Sequence, residues 1–181
     1  LRLRDFIMKI KLHARNIESK LRIALYAMTE FALSKLVPSE RLRNNLTINI
    51  HLKHHDEDAE AMLDEFANPY RPREFKIIID HHRILEDNYG RERHLAEWCH
   101  EILKTLAHEL VHVKQYLLGE LTWRNKGMFW KGKHCLVETL EEYYESAYEI
   151  EAYGREKGIL VSFLIRWKEI EKEMGMKCSL I

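Results

Sequence analysis

The run from Glu92 to Leu118 constrains the fold more than any other part of the chain. With Leu106 as reference, Cys99, Leu103, Leu110, Val113 and Leu117 form an apolar stripe at helical spacing, and Glu101, Thr105, His108 and His112 fall on the opposite side. One long helix follows, with one face in a core and the other turned to polar surroundings, and Gly119 ends it. Its polar side carries His108-Glu109-Leu110-Val111-His112. Residues four apart share a helical face, so both imidazoles can reach one ion. Glu109 projects about 100° away round the same turn, where it can reach a water beside that ion.

The rest of the periodicity builds an α+β domain around that helix. Leu21, Leu25, Met28, Phe31 or Ala32, and Leu36 recur at helical spacing between Ile17 and Val37, and Pro38 stops the run. Residues 1–45 are thus read as an N-terminal helical segment covering a sheet. Leu46 to Leu52 alternates apolar and polar residues, as a half-buried strand does, and a polar stretch from Lys53 to Glu60 follows. Phe75 to Asp80 reads as a second strand, placed at an edge because Pro69 and Pro72 precede it. Leu121 to Cys135, turning at Asn125-Lys126-Gly127, reads as a hairpin. Helical spacing resumes from about Leu136 to Met174, with a break near Ser146 and a weak point at Gly154 or Gly158. With seven glycines, three prolines and no repeat, residues 1–181 read as a single domain.

Composition narrows the function. Hydrophobic residues at 46% and charged residues at 32% are globular values, and 29 basic residues balance 29 acidic ones, which gives no global field for nucleic acid. No stretch is apolar for the roughly 18 residues a membrane span needs, and the charged residues after Leu1 do not resemble a secretion signal. A cytoplasmic or otherwise intracellular protein is expected, with Leu1 the start of a processed or trimmed chain. Cys99, Cys135 and Cys178 are widely spaced, so they indicate neither a disulfide framework nor a cysteine zinc site. No feature specifies an oligomeric state.

Eleven histidines are the compositional oddity. His51, His54, His55, His81 and His82 lack acidic partners at diagnostic spacing and read as surface residues. For a third ligand beside His108 and His112 the residues leave three candidates. Glu149 lies in Glu149-Ile150-Glu151-Ala152-Tyr153, but with Ser146 it also forms a capping box. Glu151 occupies the more apolar side of the same helix, where an unpaired carboxylate is costly. His134 would complete a three-histidine site.

Strands, a helix bearing H-E-x-x-H, a connection and an acidic second helix resemble the plan of the zincin metallopeptidases, over about Leu46 to Gly158. The glutamate-ligand members, the gluzincins, often carry E-x-x-A-D/N on the second helix. That resemblance implies a zincin-like core: a small sheet packed on the H-E-x-x-H helix, with a second helix bearing the remaining ligand. It also implies one catalytic Zn2+ held by His108, His112 and Glu149. Glu109 is then the general base, and a polypeptide is the substrate. Tyr153 stands where the family pattern has an acid or amide that supports a histidine ligand, so Glu101 or another acid is expected to do so. Tyr148 is a candidate oxyanion donor; Glu138, Glu142 and Glu145 read as a solvated face, and Lys114 and Gln115 as helix surface. The alternative reading keeps the metal and drops the catalysis, giving a zinc-stabilised binding or regulatory protein.

Overall fold

The computed structural model describes residues 8–64, 67–86, 90–124 and 127–175. Its architecture is mixed α+β. Strand β1 (Lys9–Ala14) leads into helix α1 (Ser19–Leu36), a short helix α2 (Glu40–Arg43) and strands β2 (Thr47–Leu52), β3 (Ala59–Leu63) and β4 (Glu74–Ile79). After a single turn at Arg83–Leu85 come helix α3 (Leu95–Leu117), strands β5 (Leu121–Arg124), β6 (Gly127–Trp130) and β7 (Lys133–His134), and helices α4 (Leu140–Glu145) and α5 (Ala147–Glu173).

The larger sheet has the order β1-β2-β4-β3, with β1, β2 and β4 parallel and β3 antiparallel at the edge. Its register aligns Ile10, Ile48, Phe75 and Leu63 in one rung and Leu12, Ile50, Ile77 and Ala61 in the rung two residues on. These side chains share a face because strand side chains alternate, and that face joins α1, α3 and α5 in one hydrophobic cluster. Ile48, Ile50, Phe75, Ile77 and Ile79 are fully buried, each worth about 1.5–3 kcal/mol of burial. The opposite face carries Lys11, His13, Asn49, His51 and Lys76.

Three expectations need correction. Residues 1–45 are not purely helical, because Lys9–Ala14 alternates strictly and pairs in parallel with β2. The supposed polar connection after β2 ends in β3, whose Ala-Glu-Ala-Met-Leu sequence has weak strand propensity and takes its form from pairing with β4. Strand β4 is internal: Pro72 precedes the ladder instead of interrupting it, and Ile77, Ile78 and Ile79 are all buried.

Elsewhere the periodicity holds. Helix α1 buries Leu21, Leu25, Met28, Ala32 and Leu36. Helix α3 starts where Glu97 accepts the His94 backbone N–H and stops before Gly119, whose φ of +70° disfavours any side chain. Ser146, in extended conformation, separates α4 from α5, and α5 runs unbroken through Gly154 and Gly158. The hairpin forms as β5 and β6 with β7 added, its turn residues 125 and 126 lying outside the described residues, as does Cys178.

Candidate metal centre

The polar side of α3 faces protein, not water. Helix α5 covers it, so His108, Glu109 and His112 are all buried, as are Lys114 and Gln115, which the sequence had placed on the surface. The first turn of α5 delivers Glu149, also buried, opposite the two imidazoles. Glu149 Oε2 lies 3.2 Å from His108 Nε2 and Oε1 lies 3.3 Å from His112 Nε2. The two Nε2 atoms are themselves 3.2 Å apart. Among the described residues, His108, His112 and Glu149 form the group whose ligand atoms converge closely enough to hold a metal, all within 4.8 Å.

Hydrogen bonds decide which way these rings face. Gln115 Nε2 donates to the Tyr148 carbonyl at 2.9 Å and to Glu151 at 3.2 Å, which leaves Gln115 Oε1 as the acceptor 2.9 Å from His112 Nδ1. Glu156 accepts from His108 Nδ1 at 2.9 Å. When the rings are neutral and both Nδ1 atoms donate to these acceptors, both Nε2 atoms offer lone pairs to the same point as a carboxylate. Glu149 Oε2, buried, has no hydrogen-bond donor. Three converging electron-pair donors fit a cation, and two nitrogens with one carboxylate fit zinc.

The electrostatics agree. Burial opposes protonation of His108, but hydrogen bonds to Glu149 and Glu156 outweigh it and raise the imidazole to about 9. His112 is raised against burial by Glu149 and Glu109. Burial opposes ionisation of Glu149, yet the two histidines and a hydrogen bond from Tyr143 hold it at about 2. The pocket therefore attracts positive charge, which a proton or a metal ion can supply. Burial lifts Glu109 to about 7 against the pull of the histidines.

The rivals have other partners. Glu151 binds Lys114 at 2.9 Å and Arg155 at 3.0 Å, so cations offset its burial and no metal is required there. Lys114 also binds Glu120 at 2.5 Å. His134 sits exposed on β7, its ring 5.0 Å from Phe129, outside the converging group. Ser146 makes no side-chain cap bond and Glu149 faces the histidines, so the capping role does not apply. Glu101 pairs with Lys104; the acid that supports a histidine is Glu156, seven residues beyond Glu149 and therefore two turns along the same face. Tyr153 stacks edge-on against His108, its ring centroid 4.5 Å away. Tyr148 is buried beside His112 and Trp130, and it is its backbone carbonyl that orients Gln115. Glu138 and Glu145 are exposed, and Glu142 caps α4.

Comparison of the chain with family models, with curated proteins and with solved structures finds no match. No helix among the described residues is long and apolar enough to cross a membrane.

Proposed function

We propose that this chain is a zinc metallopeptidase with a zincin-like, gluzincin-like core, in which His108, His112 and Glu149 hold one zinc ion and Glu109 is the general base. The observation that carries the proposal is the convergence of two oriented Nε2 atoms on a buried carboxylate whose Oε2 has no hydrogen-bond partner. Three protein ligands leave a fourth position open, as a catalytic site requires. Bound there, zinc would supply Lewis acidity that acidifies water and polarises a peptide carbonyl. Glu109, buried on the turn between the two histidines, would take a proton from water at the site and return it to a leaving amine. Tyr143 and the imidazoles hold Glu149 ionised, while Glu156 and Gln115 fix the ring orientations. The strand suited to align an extended polypeptide is β3, not Phe75 to Asp80, since β3 is the sheet edge that packs beside α3.

The test pairs metal analysis with turnover. The purified chain should carry about one zinc, and Glu109→Gln should keep that zinc while lowering hydrolysis of an unfolded protein mixture by roughly 10² to 10⁴. Equal turnover in both would exclude the mechanism, and zinc without hydrolysis in the parent would favour the regulatory alternative. A chain without zinc would remove the metal reading altogether.

A further inference from the structure

A second group of histidines gathers at the other end of α3. Strands β1, β2 and β4 run parallel and end side by side, and the residues just beyond them rim a cleft of about 910 Å³. Crevices outside the carboxyl ends of parallel strands are habitual ligand sites, and this volume suits a small molecule. Trp98, the cleft's aromatic wall, precedes His108 by ten residues on α3, a rise of about 15 Å that separates the cleft from the metal centre.

The cleft is built, not incidental. Asp80, fully buried at the end of β4, accepts the backbone N–H groups of His55, His82 and Arg83 at 2.9, 3.0 and 3.2 Å. It also binds His54 Nδ1 at 2.7 Å. One carboxylate thus ties together the two loops that form the rim and turns His54 Nε2 outward. His13 and His51 stack at 4.3 Å with an interplanar angle of 9°. Arg15 and Lys53 stand at the ends of β1 and β2 with no acidic partner among the described residues. The imidazoles here do not bring three metal donors together, and the two cations at the rim, Arg15 and Lys53, favour an anion. Burial, with His13, Lys76 and Lys53 beside it, holds His51 below its ordinary value, so that ring meets a ligand as a neutral hydrogen-bonding group and the charge at the rim comes from Arg15 and Lys53.

We propose that this cleft binds a small organic phosphate, with the phosphate held by Arg15, Lys53 and the imidazoles of His13, His51 and His54, and a flat apolar group laid against Trp98 and Leu85. Arg15 supplies the planar fork that matches phosphate oxygens and Lys53 a point charge. Trp98 directs its indole N–H to the His81 carbonyl at 2.8 Å, which fixes the ring as a wall.

Calorimetric titration of the full chain in magnesium-free buffer, with ADP and with inorganic pyrophosphate as probes, tests the site. Both should bind saturably, ADP at least about tenfold tighter because only it meets the aromatic wall. The exposed pair Arg15→Ala and Lys53→Ala, made together, should weaken both by at least about tenfold, and His13→Gln alone by a few fold, with folding checked by circular dichroism. His108→Ala should leave ADP binding within about twofold, since the metal centre is separate. Absence of saturable ADP binding, unchanged binding in the double variant, or loss of binding in His108→Ala would overturn the proposal. Tighter binding of a single-stranded oligonucleotide than of ADP would replace the small molecule with nucleic acid.

Discussion

Two sets of histidines lie at opposite ends of one helix, and they are organised by different rules. At the candidate metal centre each ring is buried, its Nδ1 is committed to Glu156 or Gln115, and both Nε2 atoms aim at one point. In the strand-end cleft the rings spread around a space of about 910 Å³, and His54, the ring that Asp80 orients, is 83% exposed. Histidine content does not make a candidate metal site; convergence of donor atoms, set by the partners of the second nitrogens, does. The cleft's imidazoles show no such convergence, and its rim carries Arg15 and Lys53 beside them.

The largest effect that sharpens this contrast is on zinc affinity. Glu149→Gln replaces an anion by an amide among the converging donors, and zinc binding should fall by more than about 100-fold in a competitive titration, whereas Glu151→Gln should change it only a few fold because Glu151 serves Lys114 and Gln115. The reverse ranking would place the third ligand at Glu151. A smaller effect is expected one contact further out. Glu156→Ala should weaken zinc by about 10- to 100-fold, since His108 loses the acceptor that fixes its tautomer, and Glu101→Ala should do nothing. Equal behaviour of these two variants would dissolve the distinction between an oriented centre and a loose cluster.

The difference between the two regions also tracks what the sequence made legible. His108, Glu109 and His112 share one helix at a spacing that geometry alone interprets, and the break at Ser146 lies between two readable periods. Glu156 and Gln115 were not legible because each acts across the contact between α3 and α5, and only the packing of those helices shows that Gln115 is buried. The i to i+3 step from His112 and the i to i+7 step from Glu149 are the signals that, given the helix pair, would have found them. In the cleft, five histidines from three strand ends look scattered along the chain; the parallel order of β1, β2 and β4 brings them together. Strand β1 carried a readable alternation, whereas β3 has little propensity of its own and exists because β4 offers an open edge.

The smallest expected effect separates the two regions by pH, with chelator present so that protons alone fill the metal centre. His108, raised to about 9 in the fold against an ordinary 6.5, contributes stability that is fully present below 6.5 and is lost as pH rises through about 9. Asp80 behaves oppositely. Burial opposes its ionisation, but the N–H groups of His55, Arg83 and His82 and the His54 ring lower it to about 2 from an ordinary 3.8. Its contribution is therefore present above 3.8 and is lost as pH falls through about 2. Thermal denaturation of the chelated protein should show a melting temperature that declines between pH 6.5 and 9, and added zinc should flatten that limb because the imidazoles then hold a metal whose binding no longer rewards protonation. Asp80→Asn should lower stability at neutral pH and shrink the acid limb while leaving the alkaline limb in place, since it loosens only the cleft's rim. An alkaline limb unchanged by zinc would mean that His108 and His112 do not hold the ion. An acid limb unchanged by Asp80→Asn would mean that the rim loops do not depend on the carboxylate that ties them.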